Sequence, residues 1–153
     1  MIITMESNFE ALERWIAVTV ARLSPAEQRQ LFRRVGEDLR RVNARRIGAQ
    51  TAPDGSTWLE RKPQERRRAR KGKMMLKLRQ RGHLRQKFIG DGVRVGFFGR
   101  DGYLANVHHY GKSQQLRYGI AQYPRRELLG INEADQAMIR ESLLRHLHMI
   151  TNP

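Results

Sequence analysis

Histidine and carboxylate side chains are the residues in this sequence that could bind a metal ion or transfer protons. The chain has five histidines and no cysteine, so thiolate metal sites and disulfide bonds are excluded. His108 and His109 are adjacent, and on a strand their side chains would point to opposite faces. His146 and His148 are two residues apart and would diverge on a helix. Neither pair has chelating geometry with a nearby acid, and we predict no metal site.

The acids in the second half of the chain are too dispersed for carboxylate-based catalysis. A metal-dependent nuclease would need clustered acids to hold Mg²⁺, and no such cluster can be assembled from this sequence. No serine lies in a nucleophile elbow, and no phosphate-binding loop is present. Glu127 is flanked by Arg125 and Arg126, which predicts a structural ion pair rather than a general base. We therefore predict no catalytic residue, no cofactor and no small-molecule substrate.

The composition indicates a globular, strongly basic protein. A chain of 153 residues is long enough to bury a core, and we predict one domain over residues 1–153. The formal net charge of +15 is typical of nucleic-acid-binding proteins. A protein that meets an acidic partner, or whose basic face lines a DNA passage, would share this charge. No apolar run approaches the roughly 18 residues of a membrane span, and no secretory signal is evident, so we expect a cytoplasmic protein.

Two helices are predicted over residues 8–47, where they would form a helical hairpin. Asn8 can cap the first helix, while Ser24, Pro25 and Glu27 together form a capping box that starts the second. The polar face of the second helix could be solvated, or it could contact nucleic acid or an acidic partner. The arginines predicted to lie on the polar face of the second helix are Arg29, Arg33, Arg34, Arg40, Arg41, Arg45 and Arg46.

A basic arm over residues 61–73 has almost no apolar residue, and Glu65 is its only acid. This composition predicts a mobile loop or a poorly ordered arm. It could be a solvated assembly arm, a nucleic-acid contact or an inert loop. Because no aromatic residue interrupts the run, any nucleic-acid binding should depend on phosphates and salt rather than on base sequence. The residues predicted to contact a partner or nucleic acid are Arg61, Lys62, Arg66, Arg67, Arg68, Arg70, Lys71 and Lys73.

Residues 87–131 are rich in glycine and in short apolar runs, which predicts a small antiparallel β-sheet of three or four strands. Residues 103–109 are expected to form one of these strands or a bulged segment. The region ends in a structural corner, which turns the chain into a helix predicted over residues 132–149. The predicted fold class is α+β, with helices covering one face of the sheet. The corner residues are Tyr110, Gly111, Pro124, Arg126, Glu127, Leu128, Leu129 and Gly130.

Residues in three parts of the chain match the pattern of a known family. The first set is Arg46, Ile47 and Gln50 followed by Pro53, Asp54, Gly55 and Trp58. The second set is Met74, Lys77, Leu78 and Arg79, with Leu84 and Arg85 after a short gap. The third set is His109, Tyr110 and Gly111 followed by residues 124–130. In order and spacing they resemble the virion morphogenesis, or tail completion, family of contractile-tailed and Mu-like phages, although Arg125 stands where that family usually has alanine.

This resemblance implies a non-enzymatic protein that completes the phage tail at the end that joins the head. It also implies a ring of subunits on the tail tube, with terminator or head–tail connector proteins as neighbours. In that hypothesis the basic arm contacts neighbouring subunits, a tail or head component, or DNA in passage. The expected location is the virion tail, with the host cytoplasm during assembly. The alternative function is a basic nucleic-acid-binding protein that contacts phosphates without sequence specificity.

Overall fold

One long helix near the N-terminus contributes side chains to both hydrophobic cores of the protein. The structure, a computed structural model, describes residues 9–62, 72–90 and 92–151. In chain order its elements are helix α1 (Phe9–Val20), helix α2 (Pro25–Ala49), a 3-10 turn (Leu76–Arg79), strands β1 (Arg85–Ile89) and β2 (Gly92–Gly96), helix α3 (Arg100–Tyr110), strands β3 (Ser113–Leu116) and β4 (Gly119–Gln122), and helix α4 (Glu133–Thr151).

Helix α2 begins with the predicted capping box. The Ser24 hydroxyl accepts a hydrogen bond from the Glu27 amide at 3.3 Å, and the Glu27 carboxylate accepts one from the Ser24 amide at 2.7 Å. Pro25 occupies the first turn, where its missing amide hydrogen has no helical partner to lose. The helix ends at Ala49, and Gln50 leaves it in the left-handed conformation with φ of 62°. Local sequence therefore determines where α2 starts.

Two clusters of buried side chains meet on α2. The first lies around its C-terminal end and consists of Ile47, Ala52, Trp58, Leu78, Leu84, Phe97, Ala105, Leu128 and Leu129. The second lies around its N-terminal half and consists of Val20, Leu23, Leu31, Val35, Ile139 and Leu143, so it joins α2 to α1 and α4. In the part of the chain that the structure describes, no helix is long and apolar enough to cross a membrane.

The four strands form two separate antiparallel pairs. Phe88 of β1 lies opposite Val93 of β2, and Gln114 of β3 lies opposite Ala121 of β4. The predicted α+β fold with three or four short antiparallel strands is confirmed, with four strands described, but they form two sheets of two instead of one sheet. The β1–β2 pair packs on α2 at Gly36, where a Cβ would collide with the Gln86 side chain. Helix α3 lies in the chain between the two pairs.

The strand predicted at residues 103–109 is wrong, because this segment lies within α3. Ala105, His108 and His109 are all buried, and their spacing is that of one helical face. Gly111 ends the helix in the left-handed conformation with φ of 65°, and its amide donates to the Val107 carbonyl. Two of the buried positions carry histidine, so the sequence does not show the apolar spacing by which a buried helix is usually recognised.

The polar face predicted for α2 is correct for the exposed Arg29, Arg33, Arg34, Arg41 and Arg45. It is wrong for Arg40 and Arg46. Arg40 is 8% exposed and pairs with Glu37, and Arg46 pairs with Asp135 of α4. Each of these two guanidinium groups lies inside the protein because a carboxylate is present to neutralise it.

Candidate functional site

A buried arginine in the corner holds one end of the basic arm. Arg126 is 3% exposed. Its Nε donates to the Leu59 carbonyl at 2.8 Å, and its Nη2 donates to the Glu60 carbonyl at 3.0 Å. Burial lowers the pKa of the Arg126 guanidinium, and the two carbonyl oxygens replace part of the hydration that it has lost. Because Leu59 and Glu60 immediately precede residues 61–73, Arg126 determines where the arm leaves the domain.

The other end of the basic arm is held by Gln50. Its Nε2 donates to the Met74 carbonyl at 3.0 Å, and its Oε1 accepts from the Met74 amide at 2.6 Å. The same Nε2 also donates to the Ile47 carbonyl at 2.6 Å, which satisfies a free carbonyl at the end of α2. The arm is thus attached to the folded domain on both sides, through Arg126 before it and through Gln50 after it.

The residues that follow α2 pack against the corner. A Cβ on Gly130 would collide with the Pro53 ring, so only glycine permits this approach. The Trp58 indole donates to the Glu127 carbonyl at 3.2 Å, and the Asn132 amide donates to the Pro53 carbonyl at 2.9 Å. The donor on Asn132 is its side-chain Nδ2. These contacts explain why distant motif residues occur together in one sequence: they meet at one place in the fold.

An ion pair joins α2 to α4 beside the corner. Arg46 Nη2 donates to both oxygens of Asp135, at 2.7 and 2.6 Å, and Arg46 Nη1 donates to the Gly130 carbonyl at 3.3 Å. The Asp135 side chain is only 4% exposed. Asp135 also accepts from the Asn132 amide at 3.0 Å, while the Asn132 side chain accepts from the Asp135 amide at 2.9 Å. One carboxylate therefore caps α4 and fixes its angle to α2.

The surroundings of the adjacent histidines, His108 and His109, indicate a structural role. His109 Nδ1 accepts a hydrogen bond from the Leu128 amide at 3.2 Å, so that nitrogen carries no proton. His108 packs edge-on against the Tyr123 ring, with ring centroids 4.7 Å apart. Burial lowers the pKa of both imidazoles, and the charge of Arg126 lowers the pKa of His108 further. Among the described residues, no group of three His, Asp or Glu could hold a metal ion.

The predicted corner residues come together in the structure, but they differ in exposure. Leu128 and Leu129 are 1% and 2% exposed, whereas Tyr110 is 48% exposed. Gly111 lies so close to the backbone of Arg125 that a Cβ would be 2.8 Å from its nitrogen. Glu127 forms an ion pair with Arg125 at 2.5 Å and not with Arg126. Pro124 is partly buried and leads into this packed segment.

The predicted contact residues of the arm lie partly inside the described ranges. Arg61, Lys62 and Lys73 are exposed, and Lys73 Nζ donates to the Gly48 carbonyl at 3.4 Å. The remaining predicted contacts lie outside the residues that the structure describes: Arg66, Arg67, Arg68, Arg70 and Lys71.

The β3–β4 hairpin presents apolar side chains that the sequence analysis did not identify as a surface. Tyr118 is 90% exposed, Ile120 is 72% exposed and Leu116 is 45% exposed. Among the described residues, β3 and β4 pair only with each other, so the outer edge of each strand is open. The sequence contains this apolar run, but local pattern alone does not show whether another element covers it.

The packed corner, the two anchors of the basic arm and the exposed hairpin are the features from which a function can be argued. The model of the phage virion morphogenesis family matches residues 7–148, and the chain belongs to this family. The chain is 32% identical over 147 residues to tail completion protein S of Escherichia phage P2, covering 92% of this chain and 98% of that protein. No solved structure matches the chain significantly. The expected resemblance is therefore confirmed, and the role is in phage tail morphogenesis.

Proposed function

We propose that this protein is a non-enzymatic component that completes the phage tail at the end that joins the head. Membership of the virion morphogenesis family and similarity to a tail completion protein support the role in the tail. The proposal goes further in placing the protein at the head-proximal end and in assembling it as an oligomeric ring. It also treats residues 1–153 as one domain, with the basic arm as a loop within it.

The observation that carries the proposal is the exposed hairpin β3–β4. A two-stranded hairpin is marginally stable in water without further packing. Here Tyr118 and Ile120 are 90% and 72% exposed. Removing such large apolar side chains from water would lower the free energy of the protein. An open strand edge can also accept a strand from another chain. We infer that a neighbouring subunit, the tail tube, or a terminator or connector protein covers this hairpin in the assembled tail.

The basic arm provides the second contact in this proposal. Both of its ends are fixed, by Arg126 at Leu59–Glu60 and by Gln50 at Met74. A charged loop with fixed ends is held near one part of the surface, which raises its effective concentration toward a partner bound there. We infer that the arm meets an acidic surface of a neighbouring subunit or of another tail or head component.

The hairpin is tested by replacing its two most exposed apolar side chains. The double variant Tyr118→Ser/Ile120→Ser should fold normally, because neither side chain contributes to a described core. In a phage that lacks its own copy of the gene, this variant should lower the yield of infectious particles by at least about tenfold. Electron micrographs of the lysate should then show tails that have not joined heads.

The matched control is Val18→Ser/Leu144→Ser, which also removes two exposed apolar side chains, at positions 61% and 51% exposed. This control should support a normal yield of particles. Equal yields from the hairpin variant and the control would remove the hairpin from the assembly interface.

A further inference from the structure

An arginine-lined groove lies between α2 and the segment that follows the 3-10 turn. Its volume is about 570 Å³. The arginines that line it are Arg40, Arg41, Arg45, Arg79 and Arg81. Asp38 is the acid in this lining, and the apolar part consists of Val42, Ala44 and Met138. The groove is thus positively charged and has no aromatic side chain in its walls.

One carboxylate organises three of the guanidinium groups. Glu37 accepts from Arg40 Nε and Nη2 at 3.0 Å, from Arg41 Nε at 3.0 Å and from Arg81 Nη2 at 2.5 Å. Mainly because of the hydrogen bonds from Arg40, the pKa of Glu37 is lowered to about 2, so it remains an anion at neutral pH. A guanidinium carries five N–H donors, so Arg41 and Arg81 keep donors that Glu37 does not use. Their side chains are 62% and 70% exposed.

Two further arginines of the groove have no acidic partner among the described residues. Arg45 and Arg79 are exposed, and neither pairs with a carboxylate in the described ranges. Arg79 lies across Gly48 of α2, where a Cβ would be 2.7 Å from its Nη1. Glycine at position 48 therefore leaves room for the Arg79 side chain to lie along the helix.

The positive surface continues along α2 toward its N-terminal end. A neighbouring groove of about 580 Å³ is lined by Arg33, Arg34, Glu37 and Arg145, and it shares Asp38, Arg41 and Met138 with the first. From Arg33 to Arg45 the helix rises about 18 Å. A DNA duplex carries about ten phosphate charges over that length. The two grooves together form a continuous basic surface of the right scale for a duplex backbone.

We propose that this surface, the α2 arginine face, binds the phosphate backbone of double-stranded DNA without reading its sequence. It consists of Arg33, Arg34, Arg41, Arg45, Arg79 and Arg81. The planar fork of arginine matches the geometry of phosphate oxygens. A surface that binds a protein usually supplies aromatic side chains that become buried in the interface. The most exposed aromatic side chains among the described residues lie elsewhere, on the β3–β4 hairpin and α3. This inference adds a ligand to the protein and does not depend on its position in the tail.

Binding is tested with a fluorescent 20-base-pair duplex and the purified full chain, by anisotropy over a range of salt concentrations. The variant Arg45→Gln/Arg79→Gln removes two cations that make no ion pair within the described part of the chain, so folding should be preserved. We expect affinity to fall by about tenfold or more and the slope of log affinity against log salt to shrink by about two. Duplexes of different sequence should behave alike.

The matched control is Arg14→Gln/Arg22→Gln, which removes the same charge from exposed positions outside both grooves. Its affinity and salt slope should stay close to those of the unmodified chain. Equal losses in variant and control would mean that net charge alone drives binding, and would overturn the proposal. It would also be overturned if the chain failed to bind duplex but bound polyglutamate through Arg45 and Arg79, since the surface would then fit an acidic protein. Tail completion can be measured separately, so either proposal can fail without the other.

Discussion

Several polar side chains are buried where the corner meets the helices, and each has a specific partner. Arg126 binds two carbonyl groups, Asn43 accepts from the Gly130 amide, and His109 accepts from the Leu128 amide. A buried polar group without such a partner would destabilise the fold by about 1–3 kcal/mol. The corner is therefore a hydrogen-bonded network as well as an apolar one, and it should tolerate few substitutions.

Leu128 and Leu129 are the most direct test of the corner. Leu128→Asp or Leu129→Asp would place a carboxylate without a partner in the first core, which costs several kcal/mol. Each variant should lose soluble expression or its cooperative thermal unfolding, monitored by circular dichroism. Leu144→Asp, at a position 51% exposed, should behave like the unmodified protein. Native-like unfolding of both corner variants would contradict the burial of these leucines.

The buried histidines predict that stability decreases in acid. Burial lowers the pKa of His108 and His109 below the value of about 6.5 expected in the unfolded chain. As pH falls through that value, the unfolded state takes up protons that the folded state does not. The stabilisation is therefore present above about pH 6.5 and is lost toward the lower folded pKa. We expect the free energy of unfolding, measured with urea, to be smaller at pH 5.5 than at pH 7.5.

His108→Phe should reduce this dependence on pH. The variant keeps a ring against Tyr123 and removes a buried Nδ1 that has no hydrogen-bond partner in the described structure. Unfolding energies at the two pH values should therefore lie closer together than in the unmodified protein. An unchanged difference would show that His108 does not contribute to the acid sensitivity.

At the scale of elements, one ion pair reinforces the apolar packing between α2 and α4. Arg46→Met would leave Asp135 buried without its cation, which typically costs 3–5 kcal/mol. The free energy of unfolding in urea should fall by about that amount. Arg145→Met breaks the exposed pair with Glu141 and should change it by less than about 1 kcal/mol. Similar losses in the two variants would mean that Asp135 is solvated when Arg46 is absent.

Elements whose signals are local could be predicted from the sequence. The Ser24–Glu27 capping box identifies the start of α2. The order and spacing of the corner residues and of the segment after α2 indicate the family. Helix α3 was missed because histidines occupy its buried face. The burial of Arg46 could not be predicted because its partner, Asp135, is 89 residues away. For the same reason, the pattern that identifies strands does not say which strands will pair.

For the whole molecule, the position of the positive charge matters more than its total of +15. Part of it lies on the α2 arginine face, and part belongs to the basic arm, whose flanking residues are held by Arg126 and Gln50. We expect these two regions to serve different contacts, because they involve different residues of the chain. The described cores do not use the arm, so stability and assembly should respond to different substitutions.

Charge reversal in the arm should separate these two properties. The triple variant Arg66→Glu/Arg67→Glu/Arg68→Glu should unfold at the same temperature as the unmodified protein but complete fewer tails, because it would repel an acidic partner surface. Particle yield and thermal unfolding are the two measurements. The control, Arg14→Glu/Arg22→Glu/Arg29→Glu, makes the same charge change at exposed positions. Normal yield with the arm variant would contradict the role proposed for the arm.

Because Arg126 and Gln50 hold the chain on both sides of residues 61–73, this stretch is a natural place to insert a visible marker. Ile47 and Trp58 precede this stretch and Leu128 follows it, and all three lie in the first core. If a peptide bond within the stretch were cleaved, the two pieces should therefore remain packed together through that core. A gold-binding or fluorescent tag placed in this stretch could report where the protein sits in the finished virus particle.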